Sequence, residues 1–349
     1  MKKSVMVALC AMSMLAMVAC NDKEDENGGQ QGGNTPAVNE GVYNPAQKIV
    51  DIKENGGLSE HWTWDGNKLM SMTPYYDGTL DEDNAVTFTY NSNGMITKVA
   101  EGDGGFETTV AYNGSNQISS LTVNQDGEMM YAMSPVHGSD GKINKVNLDL
   151  SDEFIQMLAS QIINGGGMDF KAKAEPVKAV TDNVVASVNL TWNGNNVSRS
   201  IVNAVFSGSM SLSELAELPM FAAMLEQYPT VQAALAMLGS TSVPVEITVA
   251  DTMDYTYEAG TNNPYCGLTT GIADMEFATY LSAALVKSSL ENGSVSFNAT
   301  LPVPGLPLPY VTKTADNETV SFTYTLNAAN FPQTCTGSDG SVIEYIYAE

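Results

Sequence analysis

Residues 86–99 read Val86-Thr87-Phe88-Thr89-Tyr90, then Asn91-Ser92-Asn93-Gly94, then Met95-Ile96-Thr97-Lys98-Val99. Apolar side chains alternate with Thr on the way in, four turn-forming residues follow, and alternation resumes on the way out. Period-2 alternation puts one face of a strand in a core and the other in polar surroundings. Asn and Gly accept the positive φ that a hairpin turn demands. Aromatic and β-branched residues beside the turn suit a pleated, half-buried surface.

The same unit recurs along the chain. It is seen at Thr63-Trp64-Asp65-Gly66-Asn67, at Ala111-Tyr112-Asn113-Gly114 leading to Ile118, and at Thr191-Trp192-Asn193-Gly194 leading to Val197. Ser321-Phe322-Thr323-Tyr324 reaches Phe331 through Asn327 and Asn330, and Ser139-Asp140-Gly141 gives a further turn. Repetition makes the inference: the expected fold is mainly β, a curved antiparallel meander or open barrel, soluble, in one domain over 45–349.

Three stretches depart from alternation and read as helical insertions. Ser151-Asp152-Glu153 opens a run with Phe154, Ile155, Leu158 and Ile162 at helical spacing, predicting a helix over 151–164. Leu215, Leu218, Leu225 and Leu235 predict helix over 213–238, interrupted at Pro219 and Pro229. Phe277, Leu281, Leu285 and Leu290 predict another over 274–291. Thr300 to Pro309 carries four prolines, which forbid a central strand and suit an extended loop.

The N-terminus gives an address. Met1-Lys2-Lys3 is basic, Val5 to Ala19 is apolar, and Ala19-Cys20 joins a small residue to a thiol. This resembles a bacterial lipoprotein signal, with 1–19 removed and Cys20 acylated; a plain secretory peptide is the alternative. A spanning helix does not fit, because Asn21-Asp22-Lys23-Glu24-Asp25-Glu26 follows at once and a span needs about 20 apolar residues. Residues 20–44, acidic and then rich in Gly and Gln, form a flexible tether.

The acidic run after Cys20 and the Tyr/Trp-Asn-x-x-Gly-x-Ile hairpins together resemble Bacteroidetes surface lipoproteins of unknown function. Those proteins carry hairpin repeats of the YD/RHS kind on a porin-like β fold. The resemblance is clearest at 86–123 and 319–347. It implies an outer-membrane protein held by acylated Cys20 and exposed at the surface, or alternatively on the periplasmic face, and it carries no catalytic assignment.

Composition bounds the partners. Fifteen basic residues against 40 acidic ones give a formal charge of −25, a field that repels nucleic acid. His61 and His137 are the two histidines, far apart in sequence, and zinc sites built from side chains take three or four ligands. His61 is expected on the polar face of a strand and His137 in a solvated loop. Asp77 to Asn84 is acidic but lacks the Asp-x-Asp-x-Asp-Gly order of a calcium loop. No phosphate-cradling loop, dinucleotide fingerprint or Gly-x-Ser-x-Gly elbow occurs, so neither a cofactor nor an enzymatic activity is expected.

Cys266 and Cys335 remain after processing; they either bridge or stay as two buried thiols. Trp62 and Trp64 share one strand face, and Tyr75-Tyr76 follows Pro74. These four are the candidate ligand-stacking aromatics, with core filling the competing role for the tryptophans. The functional expectation is a non-enzymatic binding or accessory module for a glycan, a host polymer or another envelope protein. The alternatives are a polymer hydrolase using paired carboxylates and a purely structural envelope component.

Overall fold

A computed structural model describes residues 40–102, 105–155, 183–213, 237, 239–299, 311–314 and 318–349. Cys20, the signal and the acidic start of the tether lie outside the described residues. So do most of 151–164 and 213–238, and the proline-rich segment.

The first strands are β1 (Ile49–Glu54), β2 (Gly57–Asp65), β3 (Lys68–Tyr76), β4 (Thr79–Leu80), β5 (Val86–Tyr90) and β6 (Ile96–Glu101). Then come β7 (Phe106–Tyr112), β8 (Ile118–Gln125), β9 (Glu128–His137), β10 (Ile143–Leu150), β11 (Asn183–Asn193) and β12 (Asn196–Ser211). The last are β13 (Ser242–Tyr257), β14 (Val286–Ala299), β15 (Val311–Thr314), β16 (Glu318–Leu326), β17 (Pro332–Gly337) and β18 (Val342–Tyr347).

Each strand pairs antiparallel with its neighbour in sequence, except that β5 pairs β3 and β16 pairs β14, passing the short β4 and β15. The last strand returns to the first: Ile49 faces Tyr347 and Ile52 faces Tyr345, while β1 also pairs β2. Among the described residues sixteen strands therefore form a closed up-and-down barrel, with β4 and β15 as additions. The open meander of the sequence reading is corrected on this point. Alternation specifies a buried face, and it does not say whether the two outermost strands meet.

The wall is two-sided. Trp62, Leu69, Phe88, Ile96, Leu121, Met133, Val146, Val188, Phe206 and Ile247 are buried on the inner face. The intervening outer positions are largely Thr, Ser and Asn, with cross-strand ion pairs. Arg199 clasps Asp254 through two bonds of 2.6 and 2.9 Å, Lys53 meets Glu344 at 3.3 Å, and Lys98 pairs with Glu107.

One end of the barrel is covered. Between β13 and β14 the chain folds back over residues 258–285, through a 3-10 turn (Thr269–Asp274) and a helix α1 (Phe277–Leu281). Ile272, Ala273 and Phe277 are buried against the inner wall, and Tyr131 donates to the Ala273 carbonyl at 3.0 Å. The expected helix over 274–291 thus shrinks to five residues. From Val286 the chain is strand, paired with β13 in continuous register from Ser288 after one shift beside Val286. Ser288, Ser289, Asn292 and Gly293 are poor helix formers, and the long partner strand outweighs the helical spacing of the leucines. At the other insertion, residues 152–155 are helical and Ser151 accepts the Phe154 amide at 3.2 Å, the expected cap.

Candidate functional site: the sealed end and the inner wall

The turns at residues 66–67, 91–95, 113–117, 138–142, 194–195 and 327–331 share one end with the 258–285 fold-back, because connections alternate between ends. Asn91 shows why Asn recurs in them: its side-chain oxygen accepts the amides of Asn93 and Met95 at 2.9 and 3.0 Å. Asn113 and Asn327 repeat this.

The aromatics at the ends of the strands that run toward this end do a second job. Trp64, Tyr90, Tyr112, Trp192, Tyr257, Tyr324 and Tyr347 each donate to a backbone carbonyl on the strand before their own. The acceptors are Ile49, Leu69, Ile96, Ile143, Val197, Val286 and Pro332 respectively. Apart from the shorter Tyr112 bond these run from 2.6 to 2.9 Å. At this end seams closed by a connection alternate with seams closed by an aromatic, and at the β18–β1 seam, where the chain has no connection, the Ala348 amide donates to the Lys48 carbonyl, so the repeat forms a girdle.

The eighth seam differs, and there the N-terminal segment enters. His137 holds the position at the end of β9, and its Nε2 lies 2.9 and 3.0 Å from the two carboxylate oxygens of Glu40. Glu40 also accepts the Ile118 amide at 2.7 Å. Burial raises its pKa above the usual carboxylate range, opposed by the Ile118 amide and by His137. Gly41 donates to Thr269 Oγ1 and accepts from the Ile96 amide, and Tyr43 donates to the Pro264 carbonyl. Gly41 sits at φ +82°, and a Cβ there would collide with the Tyr112 hydroxyl. His137 is accordingly a buried clamp, where the sequence suggested a solvated loop.

Above the fold-back the inner wall carries acid. Asp251, inward on β13, is 2% exposed, and its Oδ1 has no hydrogen-bond partner. Burial pushes this carboxyl up to about 6, against a hydrogen bond from the Thr252 backbone. Its neighbour Tyr255 shares a 3.2 Å contact with Ser200. Burial drives the Tyr255 phenol up to about 12, with Asp251, Glu276 and Glu291 adding to the shift. Glu101 is raised by burial, and Asp274 and Glu101 both act on Tyr131. Among the described residues no three His, Cys, Asp or Glu side chains gather to hold a metal ion.

The sequence-chosen aromatics separate. Trp62 is 2% exposed and lies in an aromatic cluster with Trp64 and Tyr265, its Nε1 bonded to Glu60 at 2.5 Å. Trp64 belongs to the girdle beneath Lys48. Neither is a free stacking platform. Tyr75 is half-buried, and Tyr76 is 72% exposed at the tip of the β3–β4 hairpin, at the end opposite the girdle. His61 lies on the outer wall, 2.8 Å from Asp51, as expected. In the acidic loop Asp81 accepts from the Asn84 side chain at 2.6 Å. Cys266 and Cys335 are both free thiols, and burial pushes Cys266 up to about 11.

A cleft of about 240 Å³ opens at the girdle end, lined by Tyr43, Asn44, Asn67, Lys68, Tyr90 and Asn93 among others. Sequence reasoning missed it, along with Glu40 and Asp251. For Asp251 a signal exists: Val243, Val245, Ile247 and Val249 alternate inward, and Asp251 continues their phase.

No family model matches the chain, and no curated protein matches it. Among solved structures it is similar to a porin-like protein from Bacteroides uniformis, at 10% identity and a TM-score of 0.36. That likeness covers 88% of this chain and all of the other.

Proposed function

We propose that the chain is a lipid-anchored cell-envelope protein at the outer surface, a non-enzymatic binding or accessory module for a glycan, a host polymer or another envelope protein. The observation that carries this reading is the clamp at Glu40, Gly41 and Tyr43. It fixes the tether to the sealed end of the barrel and leaves the opposite end, with exposed Tyr76, facing away from the anchor.

Two further features support it. A membrane barrel presents an outward apolar band, whereas outer positions here carry Thr, Ser, Asn and ion pairs, which favours a soluble body. A tether of about 20 residues spans roughly 25 Å in the flexible regime, enough to hold such a body clear of lipid headgroups.

The test is a glycan array with a parallel hydrolase assay on the unlipidated chain beginning at residue 21. Binding without turnover, lost in Tyr76→Ala, is expected. Turnover would replace this reading with the hydrolase. Silence in both assays would leave a structural envelope component.

A further inference from the structure

We infer that the cleft at the girdle end, where residues 42–44 cross the β2–β3 and β5–β6 hairpins, is a site for a single uronic acid unit, a pyranose ring bearing one carboxylate. It is a second site, at the end opposite Tyr76, and it does not depend on that residue.

The walls of the cleft are fixed before any ligand arrives. Gly41 bonds to Ile96 and Thr269, and the Tyr43 hydroxyl donates to the Pro264 carbonyl, which pins the crossing segment on both sides of Val42. Lys48 donates to the Gly66 carbonyl and to Asn67 Oδ1 at 2.6 and 2.9 Å, which holds the β2–β3 turn. Asn91 holds the β5–β6 turn through two backbone amides. A site whose walls are already ordered loses little entropy on binding.

The polar groups that line it are, by contrast, unused. Asn44 and Asn93 are exposed, and their side-chain amides have no partner among the described residues. Asn67 gives its oxygen to Lys48, a group that only donates, so its own N–H donors stay free. Each carboxamide presents a donor beside an acceptor, matching a hydroxyl that both gives and takes a hydrogen. Three of them around one small cleft suit a polyol. Val42, 37% exposed, adds an apolar flank for ring C–H groups. The volume of about 240 Å³ falls below the roughly 300–1,000 Å³ of sites for drug-sized ligands, which sets the scale at one sugar ring.

Lys68 supplies the charge. Three girdle lysines stand over aromatics: Lys48 over Trp64, Lys142 over Trp192 and Lys68 over Tyr90. Lys48 and Lys142 also donate to the carbonyls of turn glycines, Gly66 and Gly194, at 2.6 Å each. Lys68 has no such acceptor among the described residues. In the wider turn beside it the Asn91 and Met95 carbonyls are taken by the Gly94 and Asn91 amides. Asp65 stands opposite Lys68 in register but makes no ion pair with it. An ammonium held over a ring, with its hydrogens unmet and a cleft beside it, is placed for an anion.

The choice among anions follows from charge. One cation near Asp65, on a chain of formal charge −25, does not hold a polyanion. A single carboxylate on a hydroxyl-rich ring engages Lys68 and the carboxamides together. Acetate lacks the ring, and inorganic phosphate lacks it and carries more charge.

The unlipidated chain from residue 21 is titrated calorimetrically with methyl uronosides of the gluco and galacto series, the corresponding neutral methyl glycosides, acetate and inorganic phosphate. At least one uronoside is expected to bind about tenfold or more tightly than its neutral counterpart, with acetate and phosphate weaker still. Lys68→Met should erase that preference, Asn93→Ala should weaken both sugars of the pair, and Tyr76→Ala should change neither. These positions are exposed, so the variants are expected to fold; circular dichroism checks this. No uronoside binding, equal binding of the neutral sugar, or a preference that survives Lys68→Met would each overturn the inference. So would sugar binding indifferent to Asn93→Ala, or phosphate or acetate bound as tightly as the uronoside. A glycan that is bound on the array and lost in Tyr76→Ala, while no uronoside binds, would leave the binding-module reading standing and remove this site alone.

Discussion

At the residue scale Asp251 makes the sharpest prediction. Its carboxyl sits near 6 in the folded protein and near 3.9 in an unfolded chain. Between those values the folded state holds more protons, so stability is highest at the acid side and falls as pH rises through about 6. Asp251→Asn should remove that slope and raise stability at pH 7.5 by about 1–3 kcal/mol, read from urea unfolding at pH 4.5 and 7.5. A parallel loss at both pH values would show that the carboxylate is satisfied in solution. Little of this was legible beforehand. The inward phase of Asp251 can be read from the alternation of β13, but its missing partner depends on Gly293 and Val202, which the strand pairing sets beside it and which offer no side-chain donor. His61 was placed correctly because strand parity is local. His137 was not, since its partner Glu40 is 97 residues away.

At the scale of elements, the Tyr/Trp-Asn-x-x-Gly-x-Ile unit was plain in the sequence, and its turns behave as the Asn side chains dictate. What the aromatic does across the seam was hidden, because its acceptor lies on the strand preceding its own. Tyr257→Phe should keep the ring and lose the bond to Val197, costing about 0.5–1.5 kcal/mol in equilibrium unfolding. Gly41→Ala should cost more than a typical surface change, through positive φ and collision with Tyr112. Limited proteolysis should then cut faster between residues 40 and 48, while the strands keep their protection. If Gly41→Ala leaves cleavage unchanged, the clamp is not what secures this segment. The helix read over 274–291 failed for a physical reason: leucines spaced for a helix also fit a strand when a sixteen-residue neighbour such as β13 is waiting.

For the whole molecule, closure was beyond the reach of local pattern, as β1 meets β18 only after every hairpin between them is in place. The turns opposite the girdle carry Glu54, Asp77, Asp81, Glu82, Asp83, Asp126, Glu128 and Asp339, and the girdle end carries Asp65, Asp140 and Glu258 beside Lys48, Lys68 and Lys142, so both ends are acidic. The unlipidated chain should remain in the aqueous phase with a β-type spectrum in the absence of detergent, and should not co-float with vesicles. Folding that requires detergent would mean that the wall faces lipid.

The clamp also has a mechanical meaning. The closure seam between β1 and β18 is where a tug on the first strand would unzip the ring one bond at a time. Force arriving along the tether meets Glu40, Gly41 and Tyr43 first, and is passed to Ile96, Ile118, His137 and the 258–285 fold-back before it can reach Ile49. Were the chain anchored through its N-terminus as proposed, the load would spread over β6, β8 and β9, strands far around the ring from the seam, and a body dragged by flow would be strained where it is braced on several sides at once.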